Sequence, residues 1–162
     1  MEKRMYSEDD ARFMARAIEL SERNVENGGG PFGAVIVREG QIIAEGVNRV
    51  TALNDPTAHA EVSAIRKACA ELGTFKLDGC TIYTSCEPCP MCLSAIYWAG
   101  ISRIFYGNTK EDAARIDFDD SFIYSEIAKP YVQRAVPCVR IMGREASRAF
   151  RMWKEKPDKV EY

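Results

Sequence analysis

Residues 32–48 read FGAVIVREGQIIAEGVN: an unbroken apolar run, a charged turn and a second apolar stretch. Two such runs across a short polar bend predict a β-hairpin, with Glu39 and Gly40 at its bend. The unbroken apolar character of AVIV at 34–37 predicts a first strand covered on both faces. A strand of that kind needs other elements above and below it.

The flanking sequence supplies helices. Upstream, Ser7 is a candidate cap and Asp10 favours the same helix start with its negative charge. Ala11, Met14, Ala17, Ile18 and Val25 recur at helical spacing, and Gly28, Gly29, Gly30 and Pro31 end the pattern. Downstream, Asp55 and Pro56 predict a second helix start, running to about Leu72 with Gly73 as its stop. TIYT at 81–84 and RIFYG at 103–107 predict strands, and Pro88 opens a helix between them that carries Cys89, Cys92, Ile96 and Tyr97 and breaks at Gly100. The stretch 112–127 is helical in part, VPCVRIM at 136–142 predicts a last strand, and EASRAFRMW a final helix before the polar tail KEKPDKVEY. Strands and helices alternating over short connections predict a three-layer α/β/α sandwich around a mixed five-stranded sheet, as one domain over residues 1–162.

A chain of 162 residues buries about 70% of its unfolded surface, so it needs no metal or disulfide merely to have a core. The net charge of -2 comes from 22 basic and 24 acidic side chains without a long basic run, which argues against a large polyanionic partner and for a small substrate. No apolar stretch approaches the length of a membrane span, and MEKRMYSEDD lacks the apolar core of a signal peptide, so the expected location is the cytoplasm. In a reducing compartment the six cysteines do not form a disulfide framework. Cys69 and Cys138, among apolar neighbours, are expected to be buried, inert thiols.

Two short stretches carry the chemistry. HAE at 59–61 holds the only histidine, and CEPCPMC at 86–92 holds three of the six cysteines. On a helix, Cys89 and Cys92 lie three positions apart on one face and can address one cation. A helix N-terminus also lowers a thiol's pKa, which favours the thiolate that a metal requires. One imidazole and two thiolates leave a fourth zinc position open for water, whose proton Glu61 can take and return. In a regular helix His59 and Glu61 would point about 200° apart, so joint reach requires a site wrapped around a helix end. Two other readings stay open on spacing alone: a redox CxxC pair, and a closed structural zinc site with Cys86 as the fourth ligand.

His59-Ala60-Glu61 with Pro88-Cys89-Pro90-Met91-Cys92 matches the H-x-E…P-C-x-x-C signature of zinc deaminases. Over roughly residues 8–143 the chain resembles the cytidine/deoxycytidylate deaminase superfamily. Within it the pattern is similar to bacterial guanine deaminases, through GGGPFGAVIV at 28–37, EGVN at 45–48, DPTAHAEVSAIRKAC at 55–69, YTSCEPCPMCLSAIYWA at 83–99, FDDSFIY at 118–124 and the terminal EY. The opening MEKRMYS, AGISR after Trp98 and the stretch 129–145 match that pattern least.

The resemblance implies hydrolytic deamination of guanine to xanthine and ammonia, with one zinc per subunit. His59, Cys89 and Cys92 would be the metal ligands and Glu61 the proton shuttle. Asn48 would hydrogen-bond to the purine, and Asp120, or its neighbour Asp119, would read the N–H groups of guanine. Phe32 and Trp98 would flank the ring, unless they are core. It further implies a homodimer in which residues 144–162, a helix and tail, exchange between subunits and bring Tyr162 to the partner's site. Transfer-RNA adenosine, or cytosine and other small bases, are the alternative substrates; a non-enzymatic zinc-stabilised interaction domain is the remaining one.

Overall fold

The computed structural model describes residues 5–162, so the first four residues of the MEKRMYS extension lie outside the described part. The chain divides into a first unit ending at Ser121 and a second, Phe122–Tyr162.

The first helix, α1 (Glu8–Glu26), starts where Ser7 predicts. The Ser7 hydroxyl accepts from the Asp10 N–H and the Asp10 carboxylate accepts from the Ser7 N–H, so two donors of the helix end are satisfied reciprocally. The inward stripe differs from the expected one: Phe13 and Ala17 are buried with Met14 and Leu20 beside them, while Ala11, Ile18 and Val25 are exposed. Phe13 carries far more apolar area than Ala11, and the helix turns to bury it.

Strands β1 (Gly33–Arg38) and β2 (Gln41–Val47) form the predicted hairpin. Glu39 and Gly40 both adopt positive φ, 51° and 76°, the backbone that suits a two-residue turn between twisted strands. Gly33–Val37 are buried, as the unbroken apolar run predicts. Ala34 and Ile36 point into one cluster, with α3 (Ala60–Leu72) and α4 (Pro90–Ala99); Val35 and Val37 point into the other, with α1. A short α2 (Val50–Leu53) precedes α3, β3 (Thr81–Cys86) precedes α4, and β4 (Arg103–Asn108) is followed by α5 (Lys110–Ala114) and α6 (Ser121–Ala128). The sheet order is β2-β1-β3-β4, with β1 antiparallel to both neighbours and β3 parallel to β4. That parallel pair requires a crossover, which α4 supplies. The fold is the expected three-layer α/β/α sandwich, α1 on one face and α3 with α4 on the other.

Among the described residues the sheet has four strands, not five. Residues 136–142 form no strand: Pro137 offers no N–H, the second unit contains no other strand to pair with, and Val136, Val139 and Ile141 are exposed. Cys138 is exposed with them, contrary to expectation, and Cys69 is half-buried. The second unit holds a 3₁₀ turn (Tyr131–Gln133) and α7 (Gly143–Glu155). The carboxylate of Glu126 accepts from Lys129 and from the Ala135 N–H, and Arg134 lies over the Tyr131 ring. No residue of Phe122–Tyr162 is buried. None of the described helices is long and apolar enough to cross a membrane.

One close approach places the site. A Cβ on Gly46 of β2 would meet the Ala60 carbonyl at 2.1 Å and the Ala64 nitrogen at 2.6 Å. The N-terminal turn of α3 therefore lies on the sheet backbone itself, which fixes the position of the residue just before it, His59.

Candidate active site

The second helix starts later than Asp55 and Pro56 predict. The Asp55 carboxylate accepts from the Thr57 N–H at 2.8 Å and from its hydroxyl at 2.7 Å, which closes a turn, and α3 begins only at Ala60. His59 is then the N-cap, with extended backbone at φ −70° and ψ 159°. Likewise α4 begins at Pro90 and not at Pro88, with Cys89 as N-cap at φ −66° and ψ 169°. Each cap carbonyl accepts the first helical bond, from Ser63 and from Leu93. Neither cap side chain makes a capping hydrogen bond. Both turn instead toward the same point.

His59 Nδ1 lies 3.6 Å from Cys89 Sγ and 3.5 Å from Cys92 Sγ. Ligand-bond lengths of about 2.05 and 2.3 Å around tetrahedral zinc give a nitrogen–sulfur edge of about 3.6 Å. The three donor atoms lie within 4.8 Å of one another, and this is the one such metal-holding group among the described residues. The donor set therefore fits a tetrahedral cation with one position left over. Burial and helix N-termini tune it. The Cys92 thiol, together with His59, holds Cys89 well below the usual thiol range, which favours its thiolate. Cys92 is pushed up by that thiolate and by burial, and Cys89 raises His59 above the usual imidazole value.

The third cysteine of the cluster stands apart. Cys86 closes β3 with its thiol aimed at the Thr109 carbonyl, 3.7 Å away, and burial pushes it up to about 11. The arrangement thus lacks the fourth protein ligand of a closed site.

Glu61 occupies the second position of α3 and is buried; desolvation raises its carboxyl above the ordinary range. Its Oε2 accepts from the Cys92 thiol at 3.3 Å, and its Oε1 lies 3.2 Å from the hydroxyl of Thr84. The 200° separation expected on a regular helix does not arise, because His59 precedes the helix. The Thr84 hydroxyl, buried on the α3 face of β3, also lies 3.0 Å from the Cys86 carbonyl, so its one hydrogen is shared between that carbonyl and Glu61. It was not singled out in the sequence, where one threonine in TIYT carries no distinguishing signal.

The remaining expected residues divide. Asn48 is half-buried at the end of β2, and its Oδ1 accepts from the Val50 N–H at 3.2 Å. Phe32 is half-buried and meets the Phe118 ring edge-on, centroids 4.9 Å apart. Phe118 also escaped the sequence reading, although it opens the FDDSFIY motif. Asp119 is exposed, accepts from the Ser121 N–H at 2.9 Å, and is held low by Ser121. Asp120 is half-buried, and its carboxyl is raised by desolvation and by the charge of Cys89. Trp98 is 69% exposed on α4 and is not core. Tyr162, exposed, ends the second unit.

Residues 7–108 match the cytidine and deoxycytidylate deaminase zinc-binding region, and the chain belongs to that family of zinc-dependent deaminases. Its sequence is 56% identical over 151 residues to the guanine deaminase of Bacillus subtilis (strain 168), covering 93% of this chain and 97% of that one. An X-ray structure of a Bacillus subtilis guanine deaminase superposes with a TM-score of 0.91 at 55% identity, over 94% of this chain and 98% of the other. A tRNA-specific adenosine deaminase of Aquifex aeolicus (strain VF5) is 44% identical over 94 residues, 58% of this chain and 62% of that one.

Proposed function

We propose that this chain is a guanine aminohydrolase, converting guanine and water to xanthine and ammonia. The observation that carries the proposal is the junction of Glu61 with the His59–Cys89–Cys92 cluster, on a chain similar along nearly its whole length to a guanine deaminase. His59, Cys89 and Cys92 would hold the zinc ion, which would supply an acidified water to the site. Glu61 takes one proton of the water at Oε2, the oxygen on the ligand side, and delivers it to the purine ring nitrogen as the water oxygen bonds to the amine-bearing carbon; it then carries that oxygen's second proton to the amine, whose C–N bond breaks to release ammonia. Burial keeps that proton transfer away from bulk solvent.

Asn48 and Asp120 orient the base. Because the Oδ1 of Asn48 is engaged by Val50, its Nδ2 is the group left to donate to a purine acceptor. Asp120 accepts from the N–H groups of guanine; Asp119 is the poorer candidate, since its carboxylate already serves Ser121. An acceptor-only carboxylate selects a base edge rich in donors and rejects one of lone pairs. Phe32 covers the ring, with Phe118 behind it and Trp98 beside it. The tRNA-specific adenosine deaminase of Aquifex aeolicus matches 58% of this chain against 93% for the guanine deaminase, which lends the transfer-RNA reading less support.

The whole chain acts as one deaminase domain in a homodimer that exchanges residues 144–162, with Tyr162 serving the partner's site. Support comes from the second unit, where no residue is buried and Phe150, 82% exposed, stands one helical turn before Trp153 on α7. A helix with such a face is stabilised mainly by burial against something else. Light scattering on the eluted protein should give twice the chain mass, and removal of residues 144–162 should abolish guanine turnover; a fully active monomer would exclude the exchange. Location in the cytoplasm suits thiolates that must stay reduced to hold a metal.

The deciding experiment is a substrate panel on the zinc-loaded protein, guanine, adenine, cytosine, cytidine and transfer RNA, followed by ammonia release. Guanine alone should react rapidly; preference for transfer RNA, or no reaction with guanine, overturns the proposal.

A further inference from the structure

Asn24 lies in the last full turn of α1, far in sequence from any residue assigned a chemical role. Its side-chain amide reaches across the glycine loop: Nδ2 donates to the Gly30 carbonyl at 2.7 Å and to the Asn48 carbonyl at 2.9 Å. Both partners are acceptors, so both amide hydrogens are used and the orientation of the group is forced. Its own backbone carbonyl accepts from the Gly29 N–H at 2.8 Å. The loop is built around this side chain. A Cβ on Gly29 would stand 2.4 Å from Asn24 Nδ2, and a Cβ on Gly30 would press the Asn48 amide carbon at 3.2 Å. The chain then passes the constraint on, since the Phe32 N–H donates to the Gly30 carbonyl at 2.8 Å and the Asn48 N–H to the Phe32 carbonyl at 3.2 Å. One amide thus sits at the junction of the backbone that carries Phe32 and the backbone that carries Asn48.

We propose that Asn24 is a positioning residue for the purine pocket: by holding the Gly30 and Asn48 carbonyls at one point, it sets where the Asn48 amide and the Phe32 ring meet the base. This rests on the assignment of those two residues to a purine substrate. Asn24 touches neither the metal ligands nor Glu61 in any hydrogen bond, so its effect falls on substrate binding and not on the chemical step.

Steady-state kinetics with guanine on zinc-loaded wild type, Asn24→Asp and Gly30→Ala test it, with zinc content and thermal midpoint measured alongside. Asn24→Asp keeps the shape but turns acceptor oxygens toward two carbonyls. It should raise KM about tenfold while kcat and zinc content stay within about threefold of wild type. Gly30→Ala leaves the Asn24 side chain intact and presses on the Asn48 amide, and should raise KM in the same direction; it carries the test if Asn24→Asp does not fold. A KM within twofold of wild type in the folded variants, with or without a lower thermal midpoint, overturns the inference. So does a loss of kcat and zinc with KM unchanged. Wild-type protein inert toward guanine would overturn the substrate assignment itself and this inference with it.

Discussion

Four helices of the first unit begin in two different ways. At α1 and α5 the cap is conventional: Ser7 with Asp10, and Thr109 with Asp112, exchange side-chain and backbone hydrogen bonds in complete capping boxes. At α3 and α4 the cap positions hold His59 and Cys89, whose side chains make no capping hydrogen bond. A good cap contributes about 1 kcal/mol, so the second pair forgoes local stability at two places. What it gains is convergence. A cap side chain sits outside the helical cylinder with extended backbone, and two such positions can bring an imidazole and a thiol together where mid-helix residues would point along their own faces.

The largest effect that would sharpen this contrast comes from giving α4 a proper cap. Cys89→Ser should lower zinc from about one per chain to near zero and abolish guanine turnover. In chelator-treated protein the same variant should be more stable than Cys89→Ala by about 1 kcal/mol, read from denaturant midpoints. Equal stabilities would show that the position is not an energetic cap. Glu61→Gln comes next: zinc and fold stay, and kcat should drop by about 10²–10⁴-fold, the range of a lost general acid–base group. An active variant would remove Glu61 from proton transfer.

Thr84 should give a smaller change. A metal-bound Cys92 has no proton to donate to Oε2, which leaves the Glu61 backbone N–H and the Thr84 hydroxyl to hold the carboxylate. Thr84→Val should lower kcat about tenfold with zinc retained, and Thr84→Ser should restore most of it. Equal rates for Ser and Val would assign the threonine to packing alone.

The conventional caps should show the reverse behaviour, stability without catalysis. Ser7→Ala should cost about 1 kcal/mol and leave guanine kinetics unchanged. The pH dependence follows from the same corner. The Asp10 carboxyl is held below its usual value, foremost by the hydrogen bond from Tyr83 and then by Ser7, and Tyr83 is raised, first by burial and then by Asp10. A depressed carboxyl stabilises the fold above the ordinary carboxylate range, and that contribution is lost as pH falls through its folded value. Tyr83→Phe should therefore flatten the acid limb of the stability curve more than Ser7→Ala does. Superimposable acid limbs would contradict the assignment.

How legible all this was depended on the kind of signal. The hairpin, the Ser7 cap and the stops at Gly73 and Gly100 follow from local backbone preferences, and each appears where the sequence places it. Helix starts at the site did not. Asp55-Pro56 and Pro88 carry the usual start chemistry, yet the real caps are a histidine and a cysteine, residues whose preference for that position is set by what they meet in space. The ligand set was legible because its motif is compact; the separation of Cys86 from it was not, since spacing says nothing about which way a strand-end thiol points. A fifth strand over 136–142 was expected from alternation alone, and alternation cannot tell whether a partner edge exists. Asn24 and Thr84 were invisible for a simpler reason: their contacts join segments 24 and 23 positions apart.

Gly46 has no functional group and touches nothing that reacts. Yet hydrogen is the largest substituent its α-carbon can carry beneath the Ala60 carbonyl. In a saturation screen for growth on guanine as nitrogen source, it should tolerate replacement as poorly as the imidazole whose height above the strands it governs, so intolerance alone would not distinguish a foundation from a reagent.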